Sequence, residues 1–149
     1  MSDEILTMKI DGLAELRAKF KDLPDHLQTE VRGILERGAQ KFVRNAKRDV
    51  TTVDNGTLRN GISYAMLVSD KNHITFQVFS GVYYSPFIEW GTLTNAVVPS
   101  ELADYAAEFW TRSKKRGGIR PRPFFFKQIG PVSDQVNKDL SAFLNQVKL

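Results

Sequence analysis

No cysteine occurs among the 149 residues of the chain, which excludes disulfides, thiolate nucleophiles and thiolate metal sites together. Histidine is scarce as well. His26 and His73 are the two present, and neither stands at a spacing from Asp or Glu that suggests a proton relay or a metal pair. The acidic residues form no Asp-x-Asp or His-Glu-x-x-His cluster, and Gly56 and Gly117-Gly118 lack the surroundings of a phosphate-cradling loop. Catalytic residues, metals and cofactors are therefore not expected. No apolar run approaches the ~20 residues that span a bilayer. Met1-Ser2-Asp3-Glu4 lacks the basic-then-apolar layout of a signal peptide, so a soluble, cytosolic product is expected. With 42% hydrophobic and 26% charged residues, the composition is that of a globular protein and excludes disordered or fibrous classes. The length suits one domain spanning 1–149 with a core of useful size.

What is present is mainly periodicity. Ile5 to Ile10 reads as a short edge segment. Asp11 is placed to cap a helix beginning at Gly12, with Leu13, Leu16, Phe20 and Leu23 on one face until Pro24 redirects the chain. Asp25 opens a longer helical pattern through Leu27, Val31, Ile34, Leu35, Phe42, Val43 and Ala46 to about Val50, roughly 39 Å at about 1.5 Å per residue. Its opposite face carries Arg32, Arg37, Lys41, Arg44, Lys47 and Arg48, interleaved with Glu30 and Glu36. A turn over Thr51 to Gly56 leads to two β-like stretches, Ile62 to Val68 and His73 to Phe79, joined by Ser69-Asp70-Lys71-Asn72 as a hairpin. Later, Ser100 is expected to cap a short helix running to about Trp110. Gly130-Pro131 breaks the chain, and Val132, Val136, Leu140, Phe143, Leu144 and Val147 mark a closing amphipathic helix. The expected fold is α+β: a long amphipathic helix packed on an antiparallel β-sheet, with a short helix in a late extension at 93–119 and a C-terminal helix.

Two further features point to contacts. Arg112, Lys114, Lys115, Arg116, Arg120 and Arg122 are six cations within eleven residues, with no acid among them. The rest of the chain then holds 15 basic and 17 acidic residues, so the body carries −2 and the six cations of this segment raise the net charge to +4. Such a segment reads either as a finger that contacts DNA phosphates without reading bases or as a solvated loop. The second feature is aromatic. Tyr83, Tyr84, Phe87 and Trp90 form a candidate subunit contact, with core the readier role for Phe87 and Ile88. They crowd around Glu89, a carboxylate that is costly there unless paired, with Arg59 or Arg122 as its expected partner. Phe124-Phe125-Phe126 follows Pro121 and Pro123, and three rings cannot share one side of a strand, so an outward ring is expected at a subunit contact.

Three segments resemble the tail-completion, or head–tail joining, family of long-tailed bacteriophages. They are Asp54-Asn55-Gly56-Thr57-Leu58-Arg59, Tyr84-Ser85-Pro86-Phe87-Ile88-Glu89-Trp90-Gly91-Thr92 and Arg122-Pro123-Phe124-Phe125. The opening Ile10-Asp11-Gly12-Leu13 is similar to the family's as well. Asn55 stands where Thr is usual, and the connection from Leu93 to Ile119 is longer than usual. The resemblance implies a small, non-catalytic structural subunit. It would form a six-fold ring in the virion neck, between the head connector or stopper and the tail-tube or tail-terminator proteins, around the DNA passage. Rival readings are a sequence-independent DNA-binding protein acting through 112–122, a tail-terminator ring protein, and a toxin-like ribonuclease.

Overall fold

The computed structural model describes residues 6–11, 25–50, 56–69, 73–92, 96–110 and 118–147. Strands β1 (Leu6–Asp11), β2 (Ile62–Ser69) and β3 (Ile74–Ser80) form an antiparallel sheet in the order β1-β3-β2. β2 and β3 are the expected hairpin strands, and the turn at 70–72 lies outside the described residues. β1 pairs with the other side of β3, from Leu6 opposite Ser80 to Asp11 opposite Thr75. β3 is therefore central, and among the described residues β1 and β2 each pair on one side. The β2 register skips between Met66 and Val68, which leaves Leu67 as an extra residue in a bulge. Met66 and Leu67 are 42% and 47% exposed.

Helix α1 (Asp25–Asp49) lies across the sheet. Val31, Leu35, Ala39, Phe42 and Ala46, at spacings of three, four and seven residues, are fully buried along its inner face. Ile74, Phe76 and Val78 of β3 join them in one core. The α+β expectation holds, and the long helix and hairpin stand within a residue or two of where periodicity places them. The last helix runs beside α1 in the opposite direction: Gly38 faces Val136, while Lys41 donates to Gln135. A Cβ at Gly38 would lie 2.5 Å from Val136 Cγ2, so the bare backbone there lets the two helices close up.

Several local expectations need correction. Before β2 the chain makes a short helix, α2 (Thr57–Asn60), entered through Gly56 at φ 83°. That left-handed conformation suits glycine. α3 (Ser85–Trp90) occupies the aromatic segment. α4 (Ala103–Trp110) follows a 3-10 turn at Ser100–Leu102 in which Pro99, not Ser100, holds the cap position. The Ser100 hydroxyl instead donates to Glu101. Gly130-Pro131 does not break the chain but lies in the first turn of α5 (Ile129–Gln146), where a missing N–H costs nothing because those amides have no intrahelical acceptor. The helix expected from Gly12 to Leu23 lies outside the described residues.

Candidate functional site

Pro121 and Pro123 have no amide hydrogen, so Arg122 supplies the single N–H of that three-residue run. It donates to the carbonyl of Ile88 in α3 at 2.8 Å. Next to it, Thr92 N–H donates to Ile119 O, and Ile119 N–H donates to Thr92 Oγ1, both at 2.9 Å. Backbone donors resume at Phe124, and three in succession converge on one carboxylate. Phe124 and Phe125 N–H reach Glu89 Oε2 at 2.8 and 2.9 Å, and Phe126 N–H reaches Oε1 at 3.0 Å. The two expected motifs, 35 residues apart at Glu89 and Phe124, thus form one latch.

Glu89 is 3% exposed. Burial pushes its carboxyl above the ordinary range, while the three N–H donors and the charge of Lys127 pull the other way. The expected ion pair with Arg59 or Arg122 is not formed. The Arg59 guanidinium donates to Val50 O at 3.4 Å, and the Arg122 side chain is exposed. The neutral amides of a tight turn satisfy the carboxylate instead, as they do at anion-binding nests.

Gly91 makes the approach possible. It sits at φ 76°, ψ −174°, and a Cβ there would lie 2.5 Å from Ile119 O and 2.9 Å from Pro121. Behind the latch the rings form a continuous chain. Phe42 of α1 meets Phe125 edge-on at 4.9 Å, Phe125 meets Phe126 at 5.2 Å, and Phe126 stacks on Trp90 at 5.5 Å and 10°. Tyr105 of α4 closes on Trp90 at 5.9 Å. Each such pair adds roughly 0.5–1.5 kcal/mol beyond its buried area.

A second clamp secures the end of α1. Gln128, 3% exposed, donates from Nε2 to Asp49 Oδ2 at 2.8 Å and to Phe124 O at 3.0 Å. Lys127 Nζ lies 3.0 Å from the same Asp49 oxygen. Hydrogen bonds from Arg48, Gln128 and Lys127 hold the Asp49 carboxyl well below its ordinary range. A depressed carboxyl adds stability above its unfolded pKa, near 4, and loses it as pH falls toward its folded value. The stability advantage of the wild type over Asp49→Asn should therefore shrink as pH is lowered from about 5 to about 2.5. Urea unfolding across that window checks it, and a gap that stays constant refutes the assignment.

The structure places the other expected residues as follows. Trp90, Phe124 and Phe125, expected at a subunit surface, are 2%, 0% and 0% exposed and belong to the core. Phe126 is half-buried on Trp90. The strand argument fails because Phe124 and Phe125 lie in no strand and Phe126 opens a 3-10 turn at 126–128, so the first two rings are both buried rather than alternating. Tyr83 is 74% exposed and meets Tyr84 edge-on at 5.2 Å, and Phe87 is half-buried. Leu58 is fully buried in α2, and Pro123 is exposed. Arg120 is exposed, whereas Asp54, Arg112, Lys114, Lys115 and Arg116 lie outside the described residues. His73 Nε2 is 2.8 Å from Thr75 Oγ1. Among the described residues, no three His, Asp or Glu side chains gather as a metal set, and no helix is long and apolar enough to cross a membrane. Sequence reasoning missed Ile119, Gln128 and Asp49. The Pro-x-Pro run just ahead of three free amides was the available signal for the latch.

Residues 14–91, just over half the chain, match the family model described as "Bacteriophage HK97-gp10, putative tail-component". The chain belongs to the HK97-gp10-like family of phage tail components. That match contains the Asp54–Arg59 segment and ends at Gly91, inside the latch. The segment that locks onto Glu89, at 119–126, lies beyond it. No curated protein and no solved structure gives a significant match. Family membership makes this a bacteriophage structural component that works with other virion proteins.

Proposed function

We propose that the chain is a tail-completion subunit of the virion neck, one domain over 1–149, made in the host cytoplasm and acting by assembly without a chemical step. It forms a six-fold ring around the DNA passage, with the head connector or stopper on one side and tail-tube or tail-terminator proteins on the other. The observation that carries this reading is family membership as a phage tail component. The latch supports it, since Glu89 fixes α3 against the 119–126 segment and gives the subunit a rigid shape to present.

A closed ring needs two different patches on each subunit. Tyr83, Tyr84 and Phe87 supply the first. Met66 and Leu67 replace the buried phenylalanines as the second. β2 places them toward the far end of the hairpin, with Met66 opposite Phe76, whereas Tyr83 follows the β3 end at Ser80. Patches at opposite ends suit head-to-tail association. The basic segment 112–122 contacts DNA without reading its sequence.

The test is complementation of a phage lacking this gene. Without the gene, filled heads and finished tails should accumulate unjoined, and wild-type protein should restore infectious particles. Tyr83→Ala and Leu67→Asp should each lower the yield at least tenfold while the purified variants keep wild-type unfolding midpoints. Joined, infectious particles in the absence of the gene would overturn the reading.

A further inference from the structure

The outer face of α1 carries a charge pattern that neither the fold nor the latch uses. From Arg37 to Arg48 the helix holds five cations, Arg37, Lys41, Arg44, Lys47 and Arg48, and no acid. Arg37, Arg44 and Arg48 are exposed, and Lys41 and Lys47 are half-buried. At 100° per residue, Arg37, Arg44 and Lys47 fall within one quarter of the helix circumference, opposite the buried stripe. Lys41, beside that quarter, reaches Gln135 of α5, and Gln40, between Arg44 and Lys47 in angle, donates to the Tyr64 hydroxyl of β2.

Two carboxylates of α1 have other partners. Glu36 accepts from the Tyr64 hydroxyl at 3.3 Å, on the β2 flank, and keeps its charge beside Arg37. Asp49 is held by Gln128, Lys127 and Arg48. Among the described residues no carboxylate pairs with Arg37, Arg44 or Lys47. Among the described residues the three cations thus stand without ion pairs along one helix, about 10 Å and then about 5 Å apart at about 1.5 Å rise per residue.

We propose that the outer face of α1 is a contact surface for the phosphate backbone of duplex DNA, centred on Arg37, Arg44 and Lys47. A duplex offers one charge per ~1.7 Å of its axis, so a linear row of cations finds phosphates in any register. Arginine forks pair phosphate oxygens in a bidentate way. Nothing on this face reads base edges, so binding is independent of sequence. The choice of DNA as the anion rests on the tail-component reading, while the surface is separate from the 112–122 segment.

The test uses the full chain and a duplex of about 25 base pairs. Amide chemical shifts are followed on titration at about 50 mM salt, and affinity is followed by anisotropy as salt rises. Shifts should cluster on residues 37–48. The triple variant Arg37→Gln/Arg44→Gln/Lys47→Gln should bind at least tenfold more weakly. Its log–log salt slope should be shallower by about 3, at about 0.9 for each phosphate that is no longer neutralised. Arg37→Lys/Arg44→Lys should retain the wild-type slope, which separates charge from damage to the helix. No binding by the wild type, or a triple variant that binds as the wild type does, would overturn the proposal. So would loss of all binding in a variant neutralised only at Arg112, Lys114, Lys115 and Arg116. Incorporation into virions, scored separately, reports on the tail-completion reading. A triple variant that joins heads to tails yet no longer binds DNA leaves both standing, whereas DNA binding without incorporation defeats the tail reading alone.

Discussion

Glu89→Ala should lower the unfolding free energy by roughly 3–5 kcal/mol, because it leaves two or three amides without an acceptor at about 1–3 kcal/mol each. For a domain of this size that is a fall in Tm of about 10 °C. The donors concerned are Phe124 and Phe125 N–H, which are buried, and Phe126 N–H, which is partly so. Glu89→Gln separates charge from hydrogen bonding. Its amide oxygen can take over the two bonds now made to Oε2, but its NH2 group then confronts the Phe126 donor. Relief from burying a charge offsets part of that conflict, so Gln should fall between Ala and wild type, about 1–2 kcal/mol down. The pH dependence has a definite sign. A carboxyl raised in the folded state contributes most below its unfolded pKa, and that contribution is lost as pH rises through the folded value. The gap between wild type and Glu89→Gln should therefore narrow from about pH 4 upward. Urea unfolding of the three proteins over pH 4–8 measures all of this. A Glu89→Ala protein as stable as wild type would show that the latch does not hold the fold together.

Gly91→Ala should be of similar severity, about 3 kcal/mol or more. Two independent costs combine. Positive φ with extended ψ is strained for any residue with a Cβ, at about 1–3 kcal/mol. The added carbon also meets Ile119 O at 2.5 Å and Pro121 N at 2.9 Å. Both neighbours are backbone-fixed, and moving Ile119 breaks its paired bonds with Thr92. Gly33→Ala is the control. It lies in α1 with only the flexible end of Arg37, at 3.4 Å, near the added Cβ, and should gain up to about 1 kcal/mol from helix propensity. Denaturant midpoints of the two variants should move in opposite directions, and an unchanged Gly91→Ala midpoint would contradict the close approach.

The helix and hairpin were legible because periodicity is a local signal: Val31, Leu35, Phe42 and Ala46 repeat at helical spacing, and Ile74, Phe76 and Val78 alternate. The requirement that Glu89 be paired was legible too, since a charge among aromatic residues is costly wherever the chain goes. The identity of its partner was not. A cation is the partner a sequence displays, whereas three backbone amides are invisible until Pro121 and Pro123 are read as removing the donors ahead of them. The phenylalanine triplet misled for a related reason. Alternation holds only in a strand, and the residues from Phe126 onward turn instead. The α1 cations could be named from sequence, but not what engages the carboxylates on the same helix. That depends on Tyr64 and Gln128, which lie 28 and 79 residues from the carboxylates they engage.

The sheet order has a consequence for how the chain reaches this state. Leu6 pairs with Ser80 and Asp11 with Thr75, so β1 closes a loop that contains α1, α2 and the whole of β2. The β2–β3 hairpin is local and forms readily, whereas that closure carries a larger entropic cost and slows folding. β1 comes before β2 and β3 along the chain, yet of the three it is the one whose pairing waits longest. Until residue 80 emerges, β1 has no complete partner, and until β1 docks, the central strand is an open edge with a row of unpaired amides and carbonyls. An amino-terminal fusion or truncation acts at that step, by delaying or deleting the strand that seals β3.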